Sequence, residues 1–154
     1  MYTSLKQALY QLEQLCDSHR QINEYIHTED LVKAYKEKRI EHTTVITVVS
    51  SANFEPNFIN VTLQLFCLDK TLKGDQNFKD VENNTLAIIG DLINYINQDD
   101  QWRYARIINN PTATKLIERD LDVCSGWSAT ISLRLVKDNG NCNVPINAIT
   151  PLGN

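Results

Sequence analysis

The stretch from 57 to 97 constrains the fold most, because a strand pattern runs through a short linker into a helix pattern. The strand part alternates, and one of its faces carries an unbroken row of apolar side chains: Ile59, Val61, Leu63, Leu65 and Cys67. A period of two is typical of a half-buried β-strand. The strand is predicted to end at Asp69-Lys70, and a polar linker with Gly74-Asp75 at its centre runs on to Lys79.

The helix predicted after the linker has one apolar face with a spacing near 3.6 residues. That face consists of Val81, Thr85, Ile88, Ile89, Leu92, Ile93 and Ile96. Asp80 stands at the helix start, either as the N-cap or as a charge that favours the N-terminal dipole. The apolar face of this helix needs a sheet to pack against, and a long strand precedes it. This combination predicts a small α+β domain.

A second helix is predicted at the N-terminus. Ser4 and Gln7 have the spacing of a capping box, and the helix is expected to end near His19. Its apolar face contains Leu5, Ala8, Leu9, Leu12, Leu15 and Cys16. From 21 to 41 the pattern is weak, and a short helix starting at 28–30 and an ordered loop both fit.

The remaining segments predict strands and, with them, a mainly antiparallel sheet. Thr43–Ala52 is rich in β-branched residues and is expected to pair antiparallel with Phe58–Asp69. Shorter strands are predicted at Tyr104–Asn109 and Lys115–Asp122. A strong strand alternates through Trp127, Ala129, Ile131, Leu133 and Leu135. The two helices are expected on one face of this sheet, in one domain spanning 1–154 with an extended tail at 141–154.

Composition narrows the functional class. At 154 residues, with net charge −4 and pI about 5.3, the chain does not have the basic surface of a general DNA-binding protein. No secretory signal pattern is visible, and no run approaches the ~18 apolar residues of a membrane span. Cys16 and Cys67 fall on apolar faces, which predicts buried thiols, while a Cys124–Cys142 disulfide would need an oxidising compartment.

The search for catalytic motifs finds no nucleophile elbow, zinc-protease helix, Walker A loop or dinucleotide fingerprint. The three histidines, at 19, 27 and 42, are spaced too widely for a helical metal pair. We therefore expect no catalytic, cofactor-binding or metal-binding residues, and no enzyme activity. Gly90, alone within a helix, is expected to permit close packing.

Several residues are candidates for contact between subunits. Trp127 follows a glycine at a strand start, so it is either a core residue or an interface anchor. Trp102 lies in polar surroundings, and Arg103 and Arg106 beside it are candidates to pair with a neighbour's carboxylates.

The order of the segments resembles a known family over about 19–146. The predicted N-terminal helix is followed by the sequence HRQINEY and then by the pair DL. A strand pair ends in LQLFCLD, the central helix reads DVENNTLAIIGDLINYI, and the last strand opens with GWSATISL before a CNVPI tail. This is similar to the tail-terminator and tail-completion (neck ring) proteins of tailed bacteriophages, of the type found in Bacteroidetes-infecting and crAss-like phages.

The resemblance implies a structural virion protein that forms a six-fold or twelve-fold ring of identical copies around the DNA channel. Its partners would be other neck or tail proteins, such as a portal-side connector or the tail tube, and DNA would pass the lumen without sequence-specific binding. It would assemble in the host cytoplasm and reside in the virion. Within this reading the linker residues Gly74, Asp75 and Phe78 are candidate contacts to a neighbouring subunit. The alternative from the sequence is a small cytosolic binding module unrelated to virions, with a pocket between helix and sheet.

Overall fold

The structure, a computed structural model, describes residues 4–37, 39–72, 77–98, 105–118 and 124–136. Three helices and six strands occur within these ranges. In chain order they are α1 (Leu5–Ser18), β1 (Glu24–His27), α2 (Leu31–Glu37), β2 (Thr44–Phe54), β3 (Phe58–Lys70), α3 (Phe78–Gln98), β4 (Ala105–Ile107), β5 (Ala113–Glu118) and β6 (Cys124–Val136). The predicted α+β class is confirmed.

All six strands belong to one sheet, in the order β1-β2-β3-β6, and β4 and β5 both pair with the far edge of β6. β1 is parallel to β2, and every other pair is antiparallel. β3 and β6 pair over their full length, from Phe58 opposite Val136 to Lys70 opposite Cys124. They form the centre to which all other strands are attached.

β2 and β3 form the predicted antiparallel pair, interrupted by one irregularity between Val49 and Ser51. Ser50 is the extra residue there, and its hydroxyl donates a hydrogen bond of 3.0 Å to the carbonyl of Thr62. Such a bulge increases the local twist of the strand that contains it.

One face of the sheet is covered by α1 and α3, as predicted for the N-terminal and central helices. The Ser4–Gln7 capping box is present and fixes the start of α1. A single core joins side chains of both helices to the row that alternates along β3 and β6. Its fully buried members include Leu12, Cys16, Leu63, Leu65, Cys67, Ile88, Ile89, Leu92, Ala129, Ile131, Leu133 and Leu135. This burial confirms the period of two predicted for the strands and the period near 3.6 residues predicted for the helices.

The opposite face is divided into an apolar end and a polar end. At the apolar end α2 and Ile40 cover Ile46, Phe66 and Leu68, which form a second core. Towards the other end of β3 and β6 the same face carries the polar side chains Thr62, Gln64, Thr130, Ser132 and Arg134. β3 is therefore buried on both faces at one end and on one face at the other.

Several boundaries differ from the sequence-based expectations. α3 begins at Phe78, so Phe78 belongs to the helix and not to the linker, and Asp80 lies in the first turn, where its charge faces the N-terminal dipole. β1 was not predicted, because four residues, Glu24–His27, are too short to show a period. α2 resolves the helix-or-loop alternative in favour of a helix. Residues 141–154 lie outside the described ranges.

The two described glycines have opposite surroundings. A Cβ placed on Gly126 would overlap the carbonyl of Cys67 on the neighbouring strand, whereas a Cβ on Gly90 meets nothing within 4 Å. The expectation that Gly90 permits close packing is therefore wrong, and Gly126 is the residue that permits it.

We predict opposite effects for the two Gly→Ala substitutions. Gly126→Ala forces β3 and β6 apart and should lower the free energy of unfolding by about 1–3 kcal/mol or more. Gly90→Ala, in open space within a helix, should raise it by roughly 0.5–1 kcal/mol. Urea unfolding of both variants measures the difference, and equal effects would contradict the described strand spacing.

Candidate functional site

Two of the predicted contact residues, Phe78 and Trp127, belong to one cluster near the start of α3, where Lys115 and Glu82 link them. The Lys115 ammonium lies 4.3 Å from the ring centroid of Phe78 and 2.7 Å from a carboxylate oxygen of Glu82. The indole N–H of Trp127 donates a 2.9 Å hydrogen bond to the backbone carbonyl of Glu82. We call these four residues, Phe78, Glu82, Lys115 and Trp127, the α3 corner.

Strand register explains why this corner forms. Lys115 stands opposite Trp127 on β5 and β6, and Trp127 stands opposite Cys67 on β3. Cys67 belongs to the core beneath α1 and α3, so the period of two directs Lys115 and Trp127 towards the same helices. The first two turns of α3 then supply Phe78 and Glu82.

Asn77 fixes the entry of the chain into α3. Its side-chain carbonyl accepts from the N–H of Leu72 at 2.7 Å, and its amide donates to the carbonyl of Lys70 at 3.2 Å. A deletion meant to probe the linker must therefore stop before Asn77, because removing Gly74–Phe78 would also remove these bonds and the first residue of α3. Gly74 and Asp75 themselves lie outside the described residues.

The indole of Trp127 is half-buried against the core and engaged with the chain's own helix. The backbone that approaches Gly126, next to it, is that of β3 in the same chain. The structure thus places Trp127 in the contact between helix and sheet, while its role as an anchor between subunits stays a prediction.

The other candidates are dispersed. Arg106 is exposed on β4, opposite Arg134 on β6, on the face away from α1 and α3. Trp102 and Arg103 lie outside the described residues. The structure therefore brings Phe78 and Trp127 together and leaves Arg106 in a different place.

A polar cluster around Arg134 was not predicted from the sequence. The guanidinium donates to the side-chain oxygen of Asn60 at 3.1 Å and lies 3.3 Å from Glu55. It also stacks 4.8 Å from the ring centroid of Phe58. The signal was present as two polar residues, Asn60 and Arg134, on strongly alternating strands, but only the β3–β6 register shows that they are opposite each other.

A second missed feature is a cleft where β1 ends. It has a volume of about 460 Å³ and is lined by His27, Thr28, Glu29, Lys33 and Val49. Lys33 and Glu29 form an ion pair of 3.0 Å at its rim, one helical turn apart. The cleft opens beside the outer edge of β2.

The buried thiols of Cys16 and Cys67 are unreactive near neutral pH. Burial raises the pKa of Cys16 to about 12, and burial also raises the pKa of Cys67. Both cysteines are free, as predicted, and their thiols stay protonated near neutral pH, whereas a nucleophile needs the thiolate. Cys142, the partner considered for Cys124, lies outside the described residues.

Within the described residues, no group of three or more histidine, cysteine, aspartate or glutamate side chains is arranged to hold a metal ion. His19 instead pairs with Asp91 at 3.0 Å and ties the end of α1 to α3. No helix in the same ranges is long and apolar enough to cross a membrane.

No protein-family model and no curated protein matches this sequence.

We predict a loss of stability at alkaline pH that depends on Cys16. The thiol titrates near 9.0 in the unfolded chain and near 12 in the folded one, so the unfolded state releases its proton first. The contribution of the Cys16 thiol to the free energy of unfolding is complete below pH 9. It is lost as the pH rises towards the folded-state pKa. Cys16→Ala should flatten the slope of unfolding free energy above pH 9 by about 1.4 kcal/mol per pH unit. An unchanged slope would contradict the burial of this thiol.

We also predict that Trp127→Phe acts within the subunit. Losing the indole N–H leaves the Glu82 carbonyl without this donor and should cost about 1 kcal/mol of unfolding free energy. Arg106→Ala, at an exposed position, should change it by less than about 0.5 kcal/mol. If Trp127 is instead an anchor between subunits, Trp127→Phe will lower the mass of the assembled protein, and the melting temperature of the subunit will stay constant.

Proposed function

We propose that this protein is a structural subunit of a tailed bacteriophage, forming a ring in the neck or tail at the head–tail connection or at tail completion. The observation that carries the proposal is the agreement between the fold and the one that the resemblance implies. A mainly antiparallel sheet carries the N-terminal and central helices on one face. The elements α1, β2–β3, α3 and β6 follow one another in the order on which the resemblance rests, with β1 and α2 before β2 and with β4 and β5 before β6.

Two sheet edges support assembly into a ring. β1 covers β2 only from Thr44 to Thr47, and within the described ranges no strand pairs with the outer edge of β2 beyond that point. The opposite edge of the sheet is formed by the short strands β4 and β5. A ring needs two different surfaces that fit each other on successive copies, and two unlike edges on opposite sides meet that requirement.

The charge of the chain fits a channel that DNA traverses. A subunit with net charge −4, repeated around a ring, gives an assembly that repels phosphate overall. DNA would then slide through the lumen without sequence-specific binding. The other partners in this proposal are a portal-side connector or the tail tube.

One observation favours the second candidate, a small cytosolic binding module. The cleft at the end of β1, with His27, Lys33 and Glu29 on its walls, has the size of a small-molecule site. Its lining residues come from β1 and α2, from the turn between them and from β2.

Mass in solution separates the two candidates. We expect the full chain at micromolar concentration to form assemblies of six or twelve copies of the 17.6 kDa subunit, and to co-purify with phage particles. A monomer or dimer that retains a small ligand, with retention lost in Lys33→Ala, would favour the binding module. Leu86→Ser, an exposed position on α3 away from both edges, serves as the control that should leave the mass unchanged.

A further inference from the structure

We propose that the cleft at the end of β1 binds a free α-amino acid with an apolar side chain. The inference rests on the second candidate function, the binding module, and names the class of ligand that such a module would take. It does not depend on the ring. Three features of the cleft support this ligand: the hydrogen bonds behind His27, the paired charges of Lys33 and Glu29, and the backbone direction at Val49.

A chain of hydrogen bonds holds His27 at the wall of the cleft. Nδ1 of its imidazole lies 3.0 Å from the hydroxyl oxygen of Thr47, and the hydroxyl of Tyr25 lies 2.8 Å from the same oxygen. Burial raises the pKa of Tyr25, so its hydroxyl keeps its proton. With each hydroxyl donating once, Tyr25 donates to Thr47 and Thr47 donates to Nδ1 of His27. The ring proton of His27 then lies on Nε2, which offers an N–H donor to a ligand.

The charges at the cleft have both signs. Lys33 and Glu29 line the cleft and form an ion pair of 3.0 Å, with 41% and 81% of their side chains exposed. Asp30, between them in the sequence, adds a second carboxylate, which accepts from the backbone N–H of Lys33 at 2.7 Å. A ligand that is only an anion would meet two carboxylates and one ammonium, whereas a zwitterion pairs with both signs. The charges therefore favour a zwitterion.

The two charged groups of an α-amino acid match the Lys33–Glu29 pair. Both groups are attached to one carbon atom, so they are close neighbours, as the paired side chains are. An exposed ion pair stabilises a protein little, so a ligand can insert its own charges into the pair at a small cost. The ligand carboxylate then accepts from the Lys33 ammonium and from Nε2–H of His27, and the ligand ammonium donates to Glu29.

Val49 adds an apolar contact and a set of backbone groups. It is the apolar residue of the lining and is partly buried against the main core. The Thr47 carbonyl accepts from the N–H of Thr28 at 3.1 Å, so Thr47 directs its backbone groups to the outer side of β2. Val49 stands opposite Leu63 as Thr47 stands opposite Leu65, so the N–H and C=O of Val49 point to the same side.

Three matched probes test the ligand class on the full chain by NMR titration, at a pH where both amines are protonated. L-Leucine carries both charged groups, L-leucinamide lacks the carboxylate, and 4-methylpentanoate lacks the ammonium. We expect L-leucine to bind with a dissociation constant below about 1 mM and to shift the amide signals of Thr28, Glu29 and Val49. Each of the other probes should bind about tenfold more weakly. Unshifted amide signals with all three probes, or equal affinities, would overturn the proposal.

Two substitutions test which side chain meets which group of the ligand. Lys33→Met should weaken L-leucine by about tenfold and should not weaken L-leucinamide, which has no carboxylate to lose. Glu29→Gln should weaken L-leucine and should not weaken 4-methylpentanoate, because it removes a carboxylate that competes for Lys33. Lys6→Met, at an exposed position on α1, is the control and should leave all three affinities unchanged.

Both variants should stay folded, because the ion pair that they break is exposed. A spectrum that remains native outside the cleft checks this. Loss of affinity for all three probes in a folded variant would overturn the assigned pairing.

The outcomes separate this inference from the functions proposed above. A monomer or dimer that retains a different small ligand, lost in Lys33→Ala, would support the binding module and overturn the amino acid as its ligand. Rings of six or twelve copies that bind L-leucine at the same amides would support the ligand and leave the ring proposal standing.

Discussion

The pairing of β3 with β6 is the interaction on which the rest of the structure depends. The two strands share a ladder from Phe58–Val136 to Lys70–Cys124, and each carries an alternating apolar row on the same face. That row gives α1 and α3 a surface to cover, and the outer sides of the pair hold β2 and the short strands β4 and β5. Gly126 shows how closely the ladder packs, since a Cβ there would meet the carbonyl of Cys67.

The sequence predicts the parts of this fold that carry a long period. The alternation of β3 and β6 and the stripe of α3 each extend over many residues, so their existence, type and buried face follow from the pattern. The capping box of α1 follows from one local spacing, Ser4 to Gln7. Short elements do not show a period, which is why β1 was missed and α2 remained one of two alternatives.

The candidate site is less predictable because it depends on the register between strands that are far apart in the sequence. Phe78 and Trp127 are linked through Lys115 and Glu82 only because α3 packs near these residues of β5 and β6, and no local pattern encodes that packing. The Arg134 cluster requires knowing that Asn60 lies opposite it. Gly90 was misjudged since a helix pattern shows which face is covered but not how much space surrounds one position.

The edge of β2 beyond Thr47, with which no strand of the described residues pairs, the acidic charge and the two helices on one sheet face are the features on which the proposed ring role rests. An averaged image of the phage particle tests this account most directly, by locating the subunit and counting its copies. The account predicts six or twelve copies in one ring at the neck or tail end. A particle in which no such ring matches this fold would contradict it.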